Sequence, residues 1–355
     1  MFIDQFIPKS YSQRIERGKV QHRAPSNIAL VKYWGKKEEQ IPENPSISFT
    51  LSEAYTDTTV EFAPRTDFTT SFQIDFFFDE EPKGNFLPKI ETFFTRIRNY
   101  MPFLRDYYFI VRTRNSFPHS SGIASSASGM AALAVCLMKI EKLFCPEMSE
   151  VYFYEKASFL ARLGSGSACR SVTGSVVIWG EHRDVPDSSD LYGVPMGEIH
   201  EVFDQYQDTI LLIDKGQKPV SSSAGHKLMY DHPYAQARFV QARRNISLLK
   251  DILKSGDLSA FGQLVESEAL SLHAMMLTSN PYYILMRPNT LAAIEQLWYY
   301  RMSTQVPVCF TLDAGANIHV LYPKAYKDEV RTYLEEHIKE YCQDGDLIYD
   351  QVYSE

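Results

Sequence analysis

Three charged side chains of this 355-residue chain stand among residues that offer them no charged neighbour. Asp313 follows an apolar run, Val308 to Leu312, and precedes Ala-Gly-Ala-Asn. A carboxylate at a strand end suits a turn. It also suits a cleft, where it would orient a hydroxyl group or accept its proton. Lys32 sits between Val31 and the aromatic pair Tyr33–Trp34, within APSNIALVKYWGKK (24–37). A lysine so placed either snorkels or is aimed at an anion, and a lysine near an acid holds that acid ionised. Arg170 is the single charge of GSGSACRS (164–171), where Ser165 and Ser167 flank Gly166. It suits an internal ion pair, or two parallel hydrogen bonds to a carboxylate or phosphate.

A fourth stretch, FPHSSGIASSASGM (117–130), holds five serines and two glycines between Ser120 and Gly129. Met130, Leu133, Leu137, Ile140 and Phe144 then recur at three- and four-residue spacing, which predicts an amphipathic helix. The first turn of a helix has unpaired N–H groups and the positive end of the dipole. One serine would cap it; so many small residues let an anion, most often a phosphate, approach the backbone. The chain has no G-x-x-x-x-G-K-[ST] motif. GSGSAC has Cys169 where a dinucleotide fingerprint needs its third glycine. His182–Arg183–Asp184 imitates a kinase catalytic loop, but Ser189 stands where the asparagine belongs.

The elements that must position these groups read as follows. Strands are expected at Thr58–Phe62, Phe72–Phe78, Tyr107–Arg112, Gly174–Trp179, Thr209–Ile213, Val308–Leu312 and Ile318–Tyr322, the last two as a pair. Helices are expected at Pro88–Tyr100, Glu150–Leu163, Ala235–Lys254 and Leu258–Leu277, with a terminal helix carrying Tyr326, Val330, Tyr333, His337 and Tyr341 on one face. The turn-rich stretch 188–197 suggests a boundary, giving lobes 1–195 and 196–355 and an α+β fold with a ligand in the cleft between them. The composition, 45% hydrophobic and 23% charged, is that of a globular protein, and a net charge of −8 gives no overall attraction to nucleic acid. Five scattered cysteines without C-x-x-C suggest neither a disulfide framework nor zinc. No signal peptide or membrane span is visible, so a cytoplasmic enzyme is expected.

Taken together, APSNIALVKYWGKK, NPSISFTL, NSFPHSSGIASSASG, GSGSACRS, SSSAG and TLDAGAN resemble, in order, the mevalonate diphosphate decarboxylase family of the GHMP kinase superfamily. The resemblance spans residues 24 to 317. It implies a two-lobed fold, with a ribosomal-protein-S5-like N-terminal lobe and a ferredoxin-like C-terminal lobe around a central cleft. It implies that MgATP phosphorylates the tertiary hydroxyl of (R)-5-diphosphomevalonate, and that phosphate and CO2 then leave to give isopentenyl diphosphate. By motif, Asp313 matches the catalytic aspartate, Lys32 its companion lysine, and Arg170 the arginine on the substrate carboxylate. Asn27, Tyr33, Trp34, Ser165, Ser167 and Ser222 match substrate-site residues. Ser120, Ser121, Gly122, Ala124, Ser125 and Ser126 match the ATP phosphate loop. No protein metal ligands are expected, Mg2+ arriving with ATP. The expected partners are the small-molecule substrate and ATP, with neither nucleic acid nor membrane, and the family is often dimeric.

The chain departs from the usual family pattern at Pro45, at His119–Ser121, at Leu270 and at Ala316, and FFFDEEPKG (76–84) replaces a usual Leu-Asn-Gly segment. These changes leave Asp313, Arg170 and Lys32 in place. The rival readings are a decarboxylase or 3-kinase acting on mevalonate 5-phosphate or mevalonate, a non-catalytic nucleotide-binding relative, and a nucleic-acid-binding module.

Overall fold

A computed structural model describes residues 3–11, 13, 15–118, 123, 125–216 and 219–353. Its first seven strands are β1 (Gly18–Val31), β2 (Ser46–Pro64), β3 (Gln73–Phe78), β4 (Glu81–Pro82), β5 (Tyr107–Asn115), β6 (Val176–Trp179) and β7 (Val194–Pro195). They form one sheet in the order β4-β3-β5-β2-β6-β7, with β1 paired along β2. The long β2 organises it. One edge pairs with β1, and the other pairs with β6 through Ser46–Phe49 and with β5 through Thr56–Pro64. Four strands, β8 (Gln207–Leu211), β9 (Cys309–Thr311), β10 (Ile318–Tyr322) and β11 (Leu347–Gln351), form a second sheet in the order β11-β8-β10-β9.

Helices α1 (Leu87–Ile97), α2 (Ser125–Phe144) and α3 (Glu150–Gly164) pack with the first sheet into one apolar core. Ile90, Phe93, Phe94 and Ile97 of α1 are buried, as their spacing requires. Ser149 caps α3, its hydroxyl accepting from Tyr152 N at 3.3 Å. The second half adds α4 (Ser222–Lys227), α5 (Ala235–Ser255), α6 (Leu258–Leu277), α7 (Pro288–Thr304) and α8 (Lys327–Tyr333). The α5–α6 hairpin is written locally. Gly256 closes α5 at φ +76°, and Asp257 starts α6 by accepting from Ala260 N at 3.0 Å.

The two sheets are not independent. Ile28, Leu30, Ile47 and Phe49 of the first share one core with Tyr206, Ile210, Ile246, Leu249 and Phe261 of the second half. The C-terminal strand adds a polar clamp. The buried Asp350 carboxylate accepts from the backbone N–H groups of Ser52, Glu53 and Ala54 at 2.7–2.9 Å, fastening β11 to β2.

The expected strands and helices are present, some with different bounds. β2 begins twelve residues before Thr58, because its first half is buried on both faces and shows no alternation. Strand β1 was not foreseen: Pro25 interrupts its pattern, and the pairing with β2 shifts register at Pro25/Asn27 and Ala29/Val31. Helix α7 and strand β11 were also unforeseen. The single terminal helix is corrected. It breaks after Tyr333 into a π-turn, Leu334–Ile338, and a 3-10 turn, Lys339–Tyr341, which buries Leu334 and Ile338 below Val330.

Candidate active site

A cavity of about 440 Å³ opens where the end of β1, the start of α2, the turn after α3, helix α4 and the loop after β9 converge. It brings together Lys32, Tyr33, Trp34, Ser125, Ser126, Ser165, Ser167, Arg170, Ser222 and Asp313, which lie up to 281 residues apart in the chain. Lys32 Nζ donates to Asp313 Oδ1 at 2.9 Å. The lysine side chain is 1% exposed and the aspartate 32%, so the acid is the partner that a bound molecule meets. Burial lowers the Lys32 pKa, and the charge of Asp313, with that of Glu268, opposes the shift.

Arg170 is held by neutral groups. Its guanidinium donates to Ser46 Oγ at 2.6 Å, Ser48 Oγ at 3.1 Å and Asn27 Oδ1 at 3.3 Å. Among the described residues no carboxylate lies within ion-pair distance of it, although it feels the Asp313 charge. Burial works against its positive charge, and the neighbouring Asp313 charge opposes that shift. Asn27, expected at the substrate, is not among the residues that line the cavity; it donates to Ser171 Oγ at 2.7 Å and accepts from Arg170, and so orients the guanidinium.

The turn after α3 supplies the floor. A Cβ on Gly166 would stand 2.8 Å from the Trp179 ring and 2.9 Å from the Tyr33 hydroxyl, so only glycine lets Ser165 and Ser167 sit this close. The Tyr33 hydroxyl is buried without a hydrogen-bond partner among the described residues, and burial raises its pKa. Ser126 Oγ lies 3.3 Å from Ser165 Oγ, joining the first turn of α2 to that floor. Ser120, Ser121, Gly122 and Ala124 fall outside the described residues.

Residues 24–190 match the family model for a diphosphomevalonate decarboxylase-like N-terminal domain, and residues 209–353 that for a mevalonate 5-diphosphate decarboxylase C-terminal domain. Diphosphomevalonate decarboxylase of Bos taurus is 31% identical over 315 residues, 83% of this chain and 74% of that protein. The chain belongs to the diphosphomevalonate decarboxylase family. That of Ganoderma lucidum is 30% identical over 330 residues, 86% of this chain and 79% of that protein. Phosphomevalonate decarboxylase of Haloferax volcanii is 29% identical over 304 residues, 85% of this chain and 87% of that protein. Mevalonate diphosphate decarboxylase from Staphylococcus aureus superposes with a TM-score of 0.82 at 29% identity, covering 95% of this chain and 96% of that one. MDDEF in complex with MVAPP, AMPPCP and magnesium gives 0.79 at 29% identity, covering 94% and 96%. The fold is thus the two-lobed α+β architecture of the GHMP kinases.

In this diphosphomevalonate decarboxylase family member, several site residues escaped the sequence reading. Lys36, Gln40 and Lys89 line the cavity, with Lys36 Nζ donating to Gln40 Oε1 at 2.8 Å. Lys36 lies inside the KYWGKK run, which was the available signal. Helix α6 holds the Lys32–Asp313 pair from behind at two points. Glu268 Oε2 accepts from Lys32 N at 2.9 Å, and His273 Nε2 donates to the Asp313 carbonyl at 3.2 Å. Glu268 is itself fixed by Arg238 of α5 through two hydrogen bonds. A small aromatic recess of about 90 Å³, lined by Phe76, Phe78, Phe86 and Met130, meets the cavity at Lys89, Ser125 and Ser126. No helix of the described residues is long and apolar enough to cross a membrane.

Proposed function

We propose that this chain catalyses the ATP-dependent decarboxylation of (R)-5-diphosphomevalonate to isopentenyl diphosphate. The observation that carries the reading is that Asp313, paired to Lys32, shares one cavity with Arg170, a buried cation without a carboxylate partner among the described residues. Arg170 takes the substrate carboxylate. Asp313 orients the tertiary hydroxyl and accepts its proton as the oxygen attacks the γ-phosphorus of ATP. Lys32 steadies the charge that develops there. Phosphate then leaves with the hydroxyl oxygen, the electrons of the C–C bond to the carboxylate form the alkene, and CO2 departs.

Ser125 and Ser126 at the start of α2 would face the ATP phosphates, and the Phe76–Phe78–Phe86 recess beside them offers aromatic faces on which the base would stack. Mg2+ would arrive with ATP and be carried mainly by the nucleotide phosphates. The substrate phosphates would lie toward Lys36 and Ser221–Ser223. The lobes of the reading are 1–195 and 196–355, with the cavity between them.

The test is release of ADP, phosphate and CO2 from ATP and diphosphomevalonate; absence of all three ends the reading. The Haloferax volcanii relative supports a second reading, in which the substrate is mevalonate 5-phosphate. Comparing kcat/KM for the mono- and diphosphate decides between the two.

A further inference from the structure

Among the described residues the cavity has one imidazole, that of His226 in α4. Its ring lies against two aromatic neighbours, with centroids 4.4 Å from Tyr33 and 4.5 Å from Trp34. Its Nδ1 accepts from Gly35 N at 3.0 Å. An accepting Nδ1 has its lone pair engaged, so the proton of the neutral ring resides on Nε2. No partner for Nε2 is found among the described residues, and the little surface that His226 keeps faces the cavity. The approach of α4 is itself specified. A Cβ on Gly225 would stand 2.5 Å from the Trp34 ring, so glycine is what lets the next residue reach this wall. Ser221, Ser222, Ser223 and Lys36 complete the wall with neutral and cationic donors.

We propose that His226 binds the phosphate end of the substrate, its Nε2–H donating to a phosphate oxygen beside Lys36 and the α4 serines. The proposal rests on the reading given above and adds a residue to it. Burial, then the nearby charge of Lys36, bring the His226 pKa down to about 3, so the donor is neutral throughout the working pH range. It therefore adds directional recognition without a further charge, in a pocket where Lys36 already supplies one.

Two substitutions separate its two nitrogens. In His226→Asn the amide oxygen can take over the contact to Gly35, but nothing reaches the place of Nε2. In His226→Gln the amide nitrogen reaches that place. A hydrogen bond to a charged oxygen is worth about tenfold or more in affinity. His226→Asn is expected to raise KM for the phosphorylated substrate about tenfold or more, with kcat changed less than about threefold. His226→Gln is expected to stay within about threefold of the parent in KM. Unchanged KM in His226→Asn, or equal losses in both variants, overturns the proposal. Calorimetric titration with inorganic pyrophosphate keeps the two readings apart. If the parent fails to decarboxylate diphosphomevalonate, the functional reading falls. A weaker pyrophosphate affinity in His226→Asn than in the parent then still supports the proposal, and equal affinities overturn it.

Discussion

Replacing Arg170 by Gln separates binding chemistry from folding, because two opposed stability terms nearly cancel while the functional term does not. The folded chain loses up to three hydrogen bonds, to Ser46, Ser48 and Asn27. At about 1.5 kcal/mol each, the low end for bonds made by a charged group, this is a loss of about 4–5 kcal/mol, and a glutamine amide recovers part of it. Against this, the parent buries a guanidinium with no carboxylate in ion-pair reach among the described residues. Relief of that burial returns a comparable few kcal/mol. The expected change in stability is within about 1 kcal/mol, or about 1–2 °C in Tm for a chain of 355 residues. The substrate carboxylate, by contrast, loses two charge-assisted hydrogen bonds at about 1.5–3 kcal/mol each, which is at least about 10²–10³ in kcat/KM. Thermal unfolding and a coupled ADP-release assay on the same preparation read both quantities. Turnover near that of the parent refutes the assignment of Arg170 to the carboxylate. A stability loss well above 3 kcal/mol refutes the claim that its charge is uncompensated without ligand.

Asp313→Asn keeps the shape of the site and removes the proton acceptor, so kcat should fall at least about 10²–10³-fold with the fold intact. Because Asp313 raises the Lys32 pKa, the same change should lower that pKa further, seen as proton release from Lys32 at lower pH than in the parent. Glu268→Gln should destabilise the chain by about 3–5 kcal/mol in urea unfolding, since it leaves the buried Arg238 charge unpaired, in contrast to Arg170→Gln. Asp350 gives a pH signature. Burial raises its pKa from the ordinary 3.8 to about 6, so the folded chain binds that proton more tightly than the unfolded one. Its contribution, about 3 kcal/mol, is present below about pH 4 and is lost as pH rises through 6. Stability measured from pH 4 to 7 should show a flatter slope in Asp350→Asn than in the parent; an identical slope refutes the assignment.

What the sequence made legible follows from where each signal resides. Helix α6 was bounded correctly because its periodicity, the Gly256–Asp257 junction and its length all act within a few residues. Strand β1 and the first half of β2 were obscured for an equally local reason: a proline with two register shifts in one, and burial on both faces in the other, erase the period-two signal. The site divides in the same way. Lys32, Arg170 and Asp313 stood out as charges isolated among apolar or small neighbours, a property visible one residue at a time. Glu268 and His273 were invisible as parts of the site. Their work is done through partners 236 and 40 residues away, and on their own elements they look like ordinary polar residues. A charge without a charged neighbour in sequence invites explanation, whereas Lys36 and Lys89, which also line the cavity, carry no such local mark. The residues that hold the site in place are satisfied by packing, and only the packed structure identifies them. It follows that substitution of Glu268 should register first in folding, and substitution of Arg170 first in catalysis, although both are buried charges.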